Sequence, residues 1–266
     1  MPPAAQQHSA EPTVSTCPAG ESFPLPQPAE YARELKRLQK LVNEQRLLGR
    51  EIVVVMGVGF VGAVMAGVVA DSVDKKSGNP TKFVIGMQRP SPRSFWKIHY
   101  INRGLAPVQA EDPEVAPMIR RCVLEKKTLT ATFTYDALSL ADVVVVDVQC
   151  DYLKETLGNV RQGHADIAAL EDSLKVVGEK INPECLVLIE TTVPPGTTEY
   201  VAYPIIKKAF ERRFKQTSAD PLSPRHSALS PQHSVLIPYW LIRSSVSCPA
   251  GTMCHPSGIS GESAAA

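Results

Sequence analysis

Residues 51–62 read Glu-Ile-Val-Val-Val-Met-Gly-Val-Gly-Phe-Val-Gly. An apolar run of strand length ends in G-x-G-x-x-G, and a small-residue helical stretch, Ala63 to Ala70, follows at once. The glycine spacing alone is weak, because a chain with 16 glycines produces chance matches. The strand before it and the helix after it are what give it weight. Gly57 permits the tight turn, Gly59 lets backbone approach a pyrophosphate, and Gly62 lets helix and strand pack closely. The helix N-terminus then presents unpaired N–H groups and a positive dipole end to phosphates. A glycine-rich turn in some other α/β protein is the plainer alternative.

Outward from this turn, strand and helix alternate. Strands are expected at 51–56, 82–87, 128–134, 143–148 and 185–190, and helices near 60–73, 92–100, 113–127, 166–181 and 197–213. Several strands are nearly continuous apolar runs, as in sheets buried on both faces. Ser91-Pro92 and Asp112-Pro113 each place a capping residue before a proline at a first helical position. The pattern predicts an α/β fold: a Rossmann-type, doubly wound parallel sheet with ligands at the carboxyl ends of its strands. A leading helix is expected over 30–48, where Tyr31, Leu35, Leu38, Leu41, Val42 and Leu48 recur at helical steps and Gly49 marks the stop. It packs on the next domain, or less plausibly forms a coiled-coil arm.

Three zones result: 1–28, rich in Pro, Ala, Gln and Ser and expected to be disordered; 30–213, the dinucleotide-binding unit; and 214–266, where Ser, Pro and His dominate. In the last zone only Ser234 to Ile242 is apolar, and Pro238 interrupts it. This tail is expected to be mostly disordered, or non-native sequence. The net charge of +1 gives no electrostatic case for nucleic acid. No apolar stretch approaches a membrane span, and no secretory leader is visible. Six scattered cysteines show no paired spacing, and Cys254-His255 has no neighbours to complete a metal site, so no metal is expected. A reducing, cytoplasmic setting fits.

Several segments together resemble one family. Gly57-Val58-Gly59-Phe60-Val61-Gly62 resembles the G-x-G-[YF]-V-G of the UDP-glucose/GDP-mannose dehydrogenases. Ile101-Asn102-Arg103-Gly104-Leu105-Ala106-Pro107-Val108 resembles their I-N-x-G-x-x-P-[IV] loop, and Glu190 to Glu199 (ETTVPPGTTE) resembles their [ED]-[ST]-T-V-P-P-G-T-T-E signature. The leading helix and Asp166, before the fourth crossover helix, agree. The resemblance covers about residues 30–213 and looks closest to the UDP-N-acetylhexosamine 6-dehydrogenase branch. It implies an NAD-dependent, four-electron oxidation of the C6 alcohol of a UDP-sugar to a uronate through an enzyme thioester. It also implies homo-oligomers, since members generally form dimers or larger assemblies. Carried over, Gly57, Val58, Gly59, Phe60, Val61 and Gly62 bind the cofactor, Val148 lies beside it, and Thr192 hydrogen-bonds an active-site water near nicotinamide and sugar. A hydroxyl that caps the following helix is the plainer role for Thr192. Asn102, Gly104 and Pro107 are either ligand contacts or a structural loop.

Three departures qualify the resemblance. First, the acidic residue that hydrogen-bonds the adenosine ribose is missing: the second strand ends Gly86-Met87-Gln88-Arg89-Pro90-Ser91-Pro92-Arg93. Either Gln88 serves the ribose and the arginines are solvated, or Arg89 and Arg93 with Ser91 accept the 2′-phosphate of NADP. Second, Val148-Gln149-Cys150-Asp151 stands where V-P-T-P is usual; Cys150 is not taken as the nucleophile, which in the family comes from the second half of the chain. Third, the resemblance stops after Arg213. The catalytic cysteine, lysine and asparagine and the UDP-binding domain are not recognisable, and the sheet is expected to lose its sixth strand. The chain is therefore expected to be truncated and inactive alone. The alternative function is a dinucleotide-binding module without catalysis. A short-chain reductase is disfavoured, because Tyr152 is followed four residues later by Thr156 rather than lysine.

Overall fold

A computed structural model describes residues 13–153, 163–219 and 242–244. The elements in chain order are β1 (Val14–Thr16), β2 (Ser22–Pro24), α1 (Pro28–Leu47), β3 (Glu51–Met56), α2 (Phe60–Asp71), β4 (Lys82–Met87), α3 (Trp96–Asn102), α4 (Val115–Leu124), β5 (Leu129–Thr132), a 3-10 turn (Tyr135–Leu140), β6 (Val143–Val146), β7 (Asp151–Leu153), β8 (His164–Asp166), α5 (Ala168–Lys180), β9 (Leu186–Ile189), a π-helical turn (Thr198–Ala202), α6 (Tyr203–Ala219) and β10 (Ile242–Ser244). Six strands form one parallel sheet in the order β10-β9-β6-β3-β4-β5. From β3 the chain winds out one way through β4 and β5. It then returns to β6 and winds the other way, so the switch point lies between β3 and β6.

The unbroken apolar strands follow from burial on both faces, and alternate residues go to different cores. Ile52, Val54 and Met56 of β3 join one core with Leu38 and Val42 of α1, Leu170 and Leu174 of α5, and Phe210 of α6. Val53 and Val55 join the other, with Ala63, Ala66 and Ala70 of α2 and Ile119 of α4. The small residues of α2 let it lie close against α4, where Arg121 and Lys126 both pair with Asp71 at its end. Among the described residues no helix is long and apolar enough to cross a membrane.

The leading helix packs on the sheet as expected, from Pro28 to Leu47. The Gln27 N–H donates to Glu30 Oε2 at 2.7 Å across its first turn. Glu34 accepts from Thr132 Oγ1 at 2.7 Å, Arg37 donates to the Ala131 carbonyl, and Arg46 pairs with Asp142. Leu48 lies past the helix end and is exposed. In the I-N-x-G-x-x-P-[IV] loop, Asn102 has a structural role. Asn102 Oδ1 accepts from the Ala131 N–H at 2.7 Å and its Nδ2 donates to the Ala131 carbonyl at 3.0 Å, so one side chain fastens the end of α3 to the edge strand β5.

Several expectations need correction. The N-terminal zone is not disordered throughout: β1 and β2 form an antiparallel hairpin, and Cys17 and Phe23 are buried in the second core. Phe23 stacks on the His99 ring at 4.4 Å, an aromatic contact that compensates for a composition poor in apolar residues. The helix begins at Trp96 rather than Pro92, because the Ser94 and Phe95 N–H groups both turn back to the Ser91 carbonyl. Asp112 likewise caps a turn, accepting from the Glu114 N–H, before α4 starts at Val115. β7 and β8 pair as an antiparallel ribbon that no apolar run announced. In the C-terminal zone α6 runs past Arg213 to Ala219, and β10 supplies a sixth strand, pairing Ile242 with Val187 and Ser244 with Ile189. That strand starts four residues after Pro238 in the sequence, so no proline interrupts its ladder. The expected disorder of 1–12, 220–241 and 245–266, with Cys248 and Cys254, lies outside the described residues.

Two measurements check this arrangement. Asn102→Ala leaves the Ala131 N–H without its side-chain acceptor and its carbonyl with Arg37 alone, and the midpoint of denaturant unfolding is expected to report a loss of about 1–3 kcal/mol. His99 is held below the ordinary imidazole pKa by burial and then by Arg103, with Glu21 opposing. The fold thus favours its neutral form, while it protonates near ~6.5 when unfolded. Stability is therefore complete above that pH and falls as pH drops through it. Thermal unfolding between pH 7 and 5 shows this, and His99→Phe removes the dependence while keeping the stack on Phe23.

Candidate functional site

The carboxyl ends of β3, β4 and β6 open into a cleft of about 620 Å³, walled on its far side by the first turns of α5. The glycine turn forms its floor. The Gly57 N–H donates to the Met87 carbonyl at 2.8 Å, closing the turn onto β4. Gly57 adopts φ +100°, and a Cβ there would run into the Asp147 carbonyl at the end of β6. A Cβ on Gly62 would run into the Gly57 carbonyl and lie 2.7 Å from Asp147 Oδ2. Gly59 differs: nothing lies within 4 Å of where its Cβ would sit, so bare backbone faces open space. The first and third glycines are thus required by packing, and the second leaves room for a ligand, the division of roles expected of a pyrophosphate cradle.

The Val58 N–H donates to Gln88 Oε1 at 3.1 Å, and Gln88 Nε2 donates to Ser94 Oγ at 3.2 Å. Gln88 therefore braces the glycine turn against the turn before α3, and both ends of its amide are engaged within the protein. Arg89 and Lys97 line the same end of the cleft. Phe60 and Val61 lie elsewhere. Their side chains are 62% and 52% exposed and line a separate apolar groove with Val64 and Val68 on the outer face of α2. What these two residues can offer an anion is their backbone N–H groups, which in a first helical turn have no intrahelical acceptor.

Val148 lines the cleft, and its backbone is held at both ends by Thr191: the Val148 N–H donates to Thr191 Oγ1 at 3.0 Å, and that hydroxyl donates to the Val148 carbonyl at 2.7 Å. Thr191 is buried, whereas Thr192, the predicted site residue, is exposed beside it at the carboxyl end of β9. The hydroxyl that closes the turn before the last helices is Thr197 rather than Thr192, donating to the Pro194 carbonyl at 2.7 Å. Asp166 accepts from the Ala168 N–H and caps α5.

Sequence reasoning missed three residues here: Thr191, Lys97 and Asp147. Asp147 had a visible signal, a carboxylate ending the apolar run Val143 to Val146 at the carboxyl edge of the sheet. Burial pushes its carboxyl above the usual carboxylate range, the nearby Glu190 adds to this, and a hydrogen bond from the Gly62 N–H opposes it. Of the four described thiols, Cys122, Cys150 and Cys185 are not activated, whereas at Cys17 burial is outweighed by hydrogen bonds from the Tyr100 hydroxyl and the Glu21 N–H, which hold that thiol below its usual range. Burial raises Cys122 to about 11 and Cys185 to about 12, and burial with Asp151 and Asp166 raises Cys150.

Comparison with known proteins agrees with this geometry. The model of the UDP-glucose/GDP-mannose dehydrogenase family, NAD binding domain, matches residues 51–220. The UDP-glucose 6-dehydrogenase TuaD of Bacillus subtilis is 27% identical over 121 residues, covering 44% of this chain and 23% of that protein. Among solved structures, the NDP-N-acetyl-D-galactosaminuronic acid dehydrogenase of Methanosarcina mazei superposes with a TM-score of 0.52 at 30% identity, covering 65% of this chain and 33% of that one. The chain thus spans about a quarter to a third of these relatives.

Asp147 sets a test. Asp147→Asn keeps an acceptor for the Gly62 N–H and removes a negative charge beside the cradle. Affinity for NAD, followed by titration at pH 7, is expected to rise about fivefold, the factor of an about 1 kcal/mol like-charge repulsion. In the parent chain binding strengthens as the pH falls toward the raised carboxyl pKa, and in the variant that trend disappears.

Proposed function

Because the chain belongs to the UDP-glucose/GDP-mannose dehydrogenase family, over that family's NAD binding domain, we propose that residues 30–213 hold NAD for the oxidation of a nucleotide sugar at C6. The observation that carries this reading is the contrast among the three glycines. Gly57 and Gly62 are sealed against backbone and Asp147, and Gly59 is open to the cleft. The pyrophosphate sits over Gly59 and the N–H groups of the first turn of α2, where the helix dipole favours negative charge. The nicotinamide lies toward Val148 and Thr192, at the ends of β6 and β9. When bound, NAD supplies the hydride acceptor; a four-electron oxidation from alcohol to carboxylate consumes two equivalents. Thr191 fixes the backbone of Val148, and Thr192 presents a hydroxyl at the nicotinamide end, where it orders water beside the sugar.

The substrate class is a UDP-sugar, with an N-acetylhexosamine as the first choice. The four described cysteines are free, in keeping with the reducing cytoplasm, where NAD and nucleotide sugars are held. A second reading, a dinucleotide-binding module that turns nothing over by itself, is favoured by one observation. Cys122, Cys150 and Cys185 all have raised pKa values, so none of these three is an activated thiolate for the thioester step.

The test uses the whole chain. NAD titrated against it is expected to bind saturably. Gly59→Val, which alters no packing contact, is expected to weaken binding at least tenfold with the unfolding midpoint nearly unchanged. Absence of saturable NAD binding overturns the proposal. Formation of NADH on addition of UDP-glucose or a UDP-N-acetylhexosamine separates the enzyme from the module.

A further inference from the structure

After the carboxyl end of β4, where a carboxylate would serve the adenosine ribose of a bound NAD, the chain carries three cations within residues 89–97. Arg89 follows Gln88 directly and is exposed to the cleft; Arg93 lies in the turn before α3; Lys97 is on the first turn of α3 and lines the cleft half-buried. None of the three takes part in an ion pair among the described residues, whereas Arg46, Arg103, Arg121 and Lys126 each hold a carboxylate. The Lys97 ammonium sits 6.0 Å over the Trp96 ring, and burial pushes it below the usual lysine range. A half-buried ammonium without a counter-charge is costly and is relieved by an anion brought to it. The carboxylates on the cleft are elsewhere: Asp147 is at the glycine turn, and Asp172 is paired with Lys175.

The residue best placed to recognise an unmodified ribose is already occupied. Gln88 gives its oxygen to the Val58 N–H and its nitrogen to Ser94, and Ser94 is held in turn by Ser91 at 2.7 Å. The segment from Arg89 to Lys97 therefore carries two serine hydroxyls and three cations and no acidic side chain, and two of the cations, Arg89 and Lys97, line the cleft. A carboxylate there would repel a phosphate; a guanidinium pairs with one bidentately.

We infer that Arg89 and Lys97, with Arg93 and Ser91 behind them, form a site for the 2′-phosphate of a dinucleotide, so that this chain takes NADP in preference to NAD. This deepens the dinucleotide reading above and rests on it. Arg89 is the specificity-determining residue, and Lys97 adds charge from the wall.

Titration of the whole chain with NADP and with NAD, at low and at moderate salt, tests the inference. NADP is expected to bind at least tenfold tighter, with an advantage that shrinks as salt rises. 2′-AMP is expected to displace it better than 5′-AMP. Arg89→Ala, at an exposed position, is expected to cut NADP affinity about tenfold and NAD affinity by much less, and Lys97→Met is expected to act in the same direction. Equal or tighter binding of NAD overturns the inference and leaves the dinucleotide reading standing. Failure of both nucleotides to bind overturns both.

Discussion

The crossing of the β3–α2 turn over the end of β6 is the contact on which the site depends. Gly57, Gly62 and the Asp147 backbone meet there with no room for another carbon atom. The crowding holds the N-terminus of α2 over the switch point and aims its free N–H groups into the cleft. Valine or alanine at either glycine would lift the helix off the sheet, and the anion-binding geometry would go with it. Gln88 and Thr191 extend this constraint sideways, tying the glycine turn to the end of β4 and the residues after β6 to the end of β9. The cleft is thus shaped by close backbone approach and by two polar side chains spent on the protein itself.

Away from that point the fold is held by simpler means. Each central strand divides its apolar side chains between two cores, so a helix layer is needed on both faces, and the small-residue surface of α2 sets how near one layer can come. Polar anchors work at the margins. Asn102 and Arg37 hold the edge strand β5, Arg46 pairs with Asp142, and Asp142 accepts from the Ile52 N–H at 2.8 Å, joining α1, β3 and the start of β6. These bonds fix relative positions of elements whose burial supplies most of the stability.

Much of this was legible from periodicity. The runs at 51–56 and 82–87 became strands over those residues, because an unbroken apolar stretch between turn signals has few other solutions in a chain that alternates strand and helix. The glycine turn was legible because each glycine answers a separate steric demand. The N-terminal hairpin was not, since Phe23 and Cys17 are isolated among polar residues and find their partners in α3, far along the chain. Nor was β10, a three-residue edge strand whose pairing is entirely non-local. In the site, Thr191 and Thr192 are indistinguishable by type. Only the direction in which β9 delivers them decides which is buried and which faces out. The sequence left open whether Gln88 or the arginines serve the ribose end, and the engagement of Gln88 with Val58 and Ser94 depends on a turn at 91–95 that the prolines suggested would be helix.

The position of the cleft along the chain has a consequence for synthesis. Its lining runs from Met56 to Val176, while α6 begins at Tyr203 and the last strand of the sheet at Ile242. On a ribosome that releases the N-terminal part first, every group that lines the cleft emerges before the sheet's final edge is made. A nucleotide captured at that stage would bind a folding intermediate and draw it toward the native arrangement. The ligand would then act on this chain's yield during translation as well as on its finished form.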